Sequence, residues 1–122
     1  MRPFTAFEQK NLKFLVNHNV KFTQVEITPT GLGKGILDST APMRAYFLEN
    51  GIHNYEEQLQ GQEYKQIKTA CILTDTTQFI TKASFYRPNT KKGDPRMWIY
   101  GFGSYTIGND IHVLFWHDGC LY

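Results

Sequence analysis

The order of apolar and polar positions divides the chain into two helical stretches and a series of short strands. Thr5-x-x-Glu8 has the form of a capping box, and Phe7, Leu12, Leu15 and Val16 continue a rough helical stripe to about Asn19. From Val20 to Ile27 the apolar residues Phe22, Val25 and Ile27 are separated by polar ones, which predicts a strand. Thr28-Pro29-Thr30-Gly31-Leu32-Gly33-Lys34-Gly35 reads as a glycine-rich loop. Thr40 and Pro42 start a second helix, Met43, Tyr46 and Phe47 share one of its faces, and Gly51 after Asn50 is a stop signal. Residues 52–63 are polar and show no period. Tyr64 to Leu73 and Phe79 to Tyr86 predict strands joined by Thr74-Asp75-Thr76-Thr77. Arg96 to Phe102 and Ile111 to Trp116 predict further strands, with turns at Gly108-Asn109-Asp110 and His117-Asp118-Gly119. Two helices and six or seven strands with short connections make a mainly β protein, an antiparallel barrel with short helices at its ends. Closure is expected because it removes unpaired edges.

Length and composition narrow this picture without deciding function. The 122 residues suit one domain with its own core, and 41% hydrophobic with 20% charged residues is a globular balance. The chain stops within the apolar run Gly119-Cys120-Leu121-Tyr122, which raises the expectation that residues 1–122 are the N-terminal part of a longer polypeptide. Cys71 and Cys120 have neither metal nor redox spacing and read as reduced thiols, which points to a cytoplasmic protein. The sequence contains no signal peptide and no apolar stretch of membrane length.

Charge is informative through its distribution. Four acids and no Lys or Arg lie between Glu49 and Tyr64, whereas five cations and one acid lie between Lys82 and Trp98. The second segment holds Arg87-Pro88-Asn89-Thr90-Lys91-Lys92-Gly93-Asp94-Pro95-Arg96, set between aromatic strand ends. Two prolines restrict its backbone and Gly93 permits a sharp bend, so it reads as a finger offered to a polyanion. A solvated hairpin turn is the plainer reading of the same residues.

Other motifs suggest chemistry less well. Gly31-Leu32-Gly33-Lys34-Gly35 follows a strand, but it lacks the first glycine and the Ser or Thr of a nucleotide-binding P-loop. Its glycines would still let main-chain amides approach a phosphate closely, with Lys34 adding charge. Asp38 with Glu63-Tyr64-Lys65 imitates a magnesium nuclease centre, in which carboxylates hold the metal and the lysine assists the attacking water. His18, His53, His112 and His117 are scattered, so neither a metal nor a cofactor is expected.

The two loops together resemble those of the DNA-binding pseudobarrel, the fold of plant B-three domains and of the N-terminal effector domain of EcoRII-type restriction enzymes. Thr30-Gly31-Leu32-Gly33-Lys34, Gly51-Ile52-His53-Asn54-Tyr55 and Arg87-Pro88-Asn89-Thr90-Lys91 are also similar to the N-terminal specificity modules of LlaJI-type restriction subunits. The resemblance covers about residues 20–116, and the capped helix before it is an addition to the family pattern. It implies a domain that grips the major groove of double-stranded DNA with two arms, here residues 28–35 and 87–96. It also implies a target-recognition role in a bacterial restriction system, without a catalytic site of its own, the GTPase or nuclease activity coming from a further domain or subunit.

On that reading Thr30, Gly31, Gly33 and Lys34 form one arm. Lys34, Lys82, Lys91 and Lys92 meet phosphates, Arg87 and Arg96 fork onto guanine, Asn89 pairs with adenine and Asp94 accepts from cytosine. Asp94 as a turn cap and Trp98 as an anchor of the loop base are structural readings of the same segment. Two rival functions remain from the residues alone: the magnesium nuclease, and a protein-interaction barrel whose working surface is the acidic segment 49–64.

Overall fold

The structure, a computed structural model, describes residues 3–74 and 77–122, so the centre of the Thr74–Thr77 turn lies outside the described residues. Helix α1 (Ala6–Asn17) begins at the expected capping box: Glu8 N donates to Thr5 Oγ1 at 3.1 Å and Thr5 N to Glu8 Oε1 at 2.8 Å. Strand β1 (Phe22–Glu26), helix α3 (Ala41–Glu49), and strands β3 (Gln66–Leu73) and β5 (Arg96–Ile99) fall within the segments the pattern predicts, while β4 (Gln78–Tyr86) and β6 (Ile111–His117) exceed theirs by one residue each. Two-residue strands β2 (Leu37–Asp38) and β7 (Cys120–Leu121) complete the sheet.

The glycine-rich segment is not a loop. Pro29–Lys34 forms a short helix, α2. Thr28 caps it through its hydroxyl, Pro29 occupies the first turn where a missing N–H costs nothing, and Gly35 closes it in the left-handed conformation. Start and stop signals seven residues apart outweigh two internal glycines. The expected strand from Arg96 to Phe102 is also shorter, since Gly101 turns with positive φ into a 3-10 turn at Phe102–Ser104.

The seven strands run in the order β1-β6-β7-β3-β4-β5-β2. Every pairing is antiparallel except that of β3 with β7, where Ala70 faces Leu121. The sheet curls into a half-barrel and does not close, leaving β1 and β2 at its edges; α2 connects one edge strand to the other. Closure is replaced by filling. Met43 and Phe47 of α3 are fully buried against Phe85, Met97, Leu37, Ile27 and Leu121. Tyr46 of the same helix accepts from Trp116 N at 2.8 Å and donates to Lys21 O at 2.9 Å, tying α3 to the ends of β6 and β1.

Helix α1 is held less firmly. Leu15 is buried, but Phe7, Phe14 and Val16 of its apolar stripe are each more than half exposed. Between α1 and the strands beneath lies a groove of about 690 Å³ reaching Leu73, Phe102, Val113 and Tyr122. No helix among the described residues is long and apolar enough to cross a membrane.

Candidate nucleic-acid interface

The basic loop between β4 and β5 is braced by the polar segment that carries no sequence period. Residues 52–64 contain two 3-10 turns, Tyr55–Glu57 and Gln62–Tyr64, and pack along the loop. Gln58 is the bracket. Its Nε2 donates to Phe85 O at 2.8 Å and Tyr64 O at 2.9 Å, so its Oε1 must accept, here from His53 Nε2 at 2.9 Å. His53 in turn stacks on Phe85 with ring centroids 5.0 Å apart. Burial and, to a smaller extent, Lys68 nearby hold this imidazole below its ordinary pKa, against the Gln58 bond that raises it.

Arg87, expected to read a base, is turned inward to this bracket. Its Nε donates to Gly93 O at 2.9 Å and its Nη1 to Gln58 O at 3.2 Å and, at 3.4 Å, to Tyr55 O. Gly61 N returns a bond to Arg87 O at 2.7 Å. A planar guanidinium suits this task because its donors are fixed in direction and can meet several carbonyls at once. The turn itself needs Gly93, whose φ is +70° and whose Cβ position would lie 2.7 Å from Gln60. Lys92 also adopts positive φ and is exposed, as are Asn89 and Asp94. Pro88 is buried, and the Lys91 side chain lies outside the described part of the structure.

Arg96 stands differently. It is opposite Tyr86 on one side and Asp38 on the other, so Asp38, Arg96 and Tyr86 share the sheet face turned away from the core residues Leu37, Met97 and Phe85. Its side chain is 14% exposed, while that of Asp38 is 82% exposed. The closest approach between them is Nε to Oδ1 at 3.8 Å, and Nε is buried without any hydrogen bond. The two terminal nitrogens, which are not buried in this way, donate to no acceptor among the described residues.

The backbone beneath this side chain is firmly set. Ser39 Oγ and Tyr55 Oη are 2.7 Å apart, Tyr55 Oη donates to Arg96 O at 2.9 Å, and Ser39 N donates to Pro95 O at 3.0 Å. Since the Tyr55 proton goes to Arg96 O, Ser39 must donate to Tyr55. Burial raises the Tyr55 phenol far above its ordinary pKa, so it stays a donor. Arg44, which the sequence reading passed over, lies in the first turns of α3 beside this network, with Nη1 donating to Ser39 O at 2.6 Å. It carried no motif to mark it.

The other candidate residues are dispersed. Lys82 is exposed on β4 and shares the face of Tyr86 and Arg96, at the level of Tyr100. Thr30, Gly33 and Lys34 are exposed on α2. Gly31 serves the helix itself: a Cβ there would lie 2.6 Å from Ile36 O and 2.7 Å from Thr28 Oγ1. In the antiparallel β2–β5 ladder Leu37 faces Met97 and Asp38 faces Arg96, so Gly35 falls beside Trp98 and α2 lies near the turn at Gly108. The basic loop leaves the opposite end of β5. Residues 28–35 therefore lead into β2 at one end of the β2–β5 ladder, and residues 87–95 lead into β5 at the other. Trp98 does anchor, its indole lying under Gly35 and edge-on to Phe102.

The acidic and basic segments are not kept apart, because residues 55–61 lie directly against the basic loop. Glu63 sits in a 3-10 turn before β3 begins, so it does not share a strand face with Lys65, and Asp38 belongs with Arg96. No group of three or more metal-ligating side chains occurs among the described residues.

Comparison with family models, curated proteins and solved structures finds no match to this chain. The likeness to the pseudobarrel rests on the loop sequences.

Proposed function

We propose that this domain binds double-stranded DNA sequence-specifically, through the surface formed by the loop 88–95, Arg96 with Asp38, and Arg44 at the start of α3. The observation that carries the reading is Arg96. A guanidinium that is 14% exposed with its Nε buried, whose carboxylate neighbour is 3.8 Å away, and whose terminal donors have no acceptor among the described residues is incompletely satisfied in the free domain. An external pair of acceptors would satisfy it, and guanine O6 and N7 in the major groove offer such a pair at matching spacing.

Around it Lys92 and Arg44 supply phosphate contacts, while Asn89 and Asp94 are exposed polar groups on a loop stiffened by Arg87 and Gly93. Lys82 on the same face extends the phosphate track, and Lys34 with Thr30 on α2 lies beyond Trp98 as a more distant contact. By the resemblance of the loops, such a domain would serve target recognition in a bacterial restriction system, with cleavage or translocation performed by another domain or subunit.

Selection of binding sites from a random duplex library, followed by affinity measurements over a range of salt, tests the proposal. A preferred site should emerge, with log K falling linearly against log salt. Lys92→Ala should reduce that slope by about 0.9 without changing the preferred sequence. Failure of the domain to bind any duplex at low salt would overturn the reading in favour of a protein-interaction surface.

A further inference from the structure

We infer that Asp38 and Arg96 act together as a reader of one G·C base pair, with Asp38 a specificity-determining residue. The inference rests on the proposed DNA-binding reading and extends it to a carboxylate outside the basic loop. Asp38 and Arg96 are directly opposed on neighbouring strands, so their side chains leave one sheet face side by side. The ladder at this point is fixed from below by Ser39, Tyr55 and the Arg96 carbonyl, so neither Cα is free to drift. The carboxylate is 82% exposed and is not engaged as a bidentate partner, its one close cation among the described residues being the Arg96 Nε at 3.8 Å.

The pair thus presents two N–H donors beside one anionic acceptor. The major-groove edge of a G·C pair presents the complementary row: acceptors N7 and O6 on guanine, then the N4 donor on cytosine. An A·T pair offers acceptor, donor, acceptor and would set its N6 amino group against the guanidinium. A carboxylate in the middle of a basic surface also repels phosphate, so the pair is poorly suited to backbone contact alone.

Modified duplexes carrying the selected site provide the test. Replacing the read guanine by 7-deazaguanine should weaken wild-type binding about tenfold, and so should replacing its partner cytosine by 2-pyrimidinone, which lacks the 4-amino group. Asp38→Ala should lose about the same factor on the natural site and then be indifferent to 2-pyrimidinone, while remaining sensitive to 7-deazaguanine. Arg96→Ala should show loss of the 7-deazaguanine effect. If Asp38→Ala keeps full discrimination at every base pair, or gains affinity equally for all duplexes, the carboxylate is not a reader and the inference fails while the DNA-binding function stands. If the wild-type domain binds no duplex, the functional proposal itself falls. Because Asp38 is exposed, its substitution leaves the core intact, and the modified duplexes probe the wild-type protein directly.

Discussion

Two arginines nine residues apart at the two ends of one loop illustrate how much is decided at the scale of single side chains. Both look equally fit to fork onto a base, and nothing in the neighbouring residues separates them. Arg87 has carbonyls within reach on the segment 55–60 and on Gly93, and its donors are consumed there. Arg96 has a carboxylate at 3.8 Å and an unpartnered Nε. Their substitutions should therefore differ in kind. Arg87→Ala leaves part-buried carbonyls unpaired and should lower unfolding stability by about 1–3 kcal/mol. Arg96→Met keeps the packed stem and removes an unsatisfied charge, so its stability should stay within about 0.5 kcal/mol of wild type while DNA discrimination is lost. Urea unfolding of the two variants separates these outcomes. Equal destabilisation would show that both are structural.

Among the elements, legibility follows periodicity and punctuation. The capping box of α1, the aromatic and β-branched runs of β3, β4 and β6, and the Thr40–Gly51 limits of α3 could all be read from local pattern, because local hydrogen bonding and side-chain alternation dictate them. Segment 52–63 could not. Its bonds are between a glutamine side chain, an arginine side chain and backbone carbonyls far away in sequence, and such bonds leave no period. The case of α1 shows the reverse: a well-signalled helix that packs weakly. Thr5→Ala should cost α1 about 1 kcal/mol of local stability. Because only Leu15 is buried, that loss should appear as faster amide exchange within residues 6–17, with little change in β3 or β4. Uniformly faster exchange throughout the domain would show that α1 is integral to the cooperative core.

For the whole molecule, two half-buried histidines couple folding to pH. His53 donates to Gln58. His112 Nε2 lies 2.8 Å from Thr106 Oγ1, which itself donates to Asp110 Oδ2, so His112 too must be the donor. Burial lowers the pKa of each, with Asp110 and Glu8 partly opposing it at His112. A folded-state pKa below the unfolded value of about 6.5 means that the unfolded chain binds more protons, so stability rises with pH. The contribution of these groups is full above about pH 6.5 and is lost as the pH falls through their lower folded values. The urea midpoint should drop between about pH 7 and about pH 5, and His53→Gln with His112→Gln should flatten that slope. A double variant with the wild-type slope would place the dependence on the carboxylates.

The sequence by itself determined the mainly β class, the positions of most strands, two of the helices and the concentration of cations between Lys82 and Trp98, because each of these is written in neighbouring residues. Tertiary structure alone decided that the sheet stops at a half-barrel filled by α3, that the glycine-rich segment is a helix linking the two edge strands, and that it lies at the other end of β5 from the basic loop. It also decided which arginine is spent inside the fold and which remains open beside Asp38. Those outcomes depend on what a long polar side chain meets after the strands have paired. A guanidinium donates to whatever acceptors surround it: Arg87 finds the carbonyls of Tyr55, Gln58 and Gly93, whereas Arg96 meets the Asp38 carboxylate only at 3.8 Å, and the strand order that sets these neighbours is encoded in no local pattern.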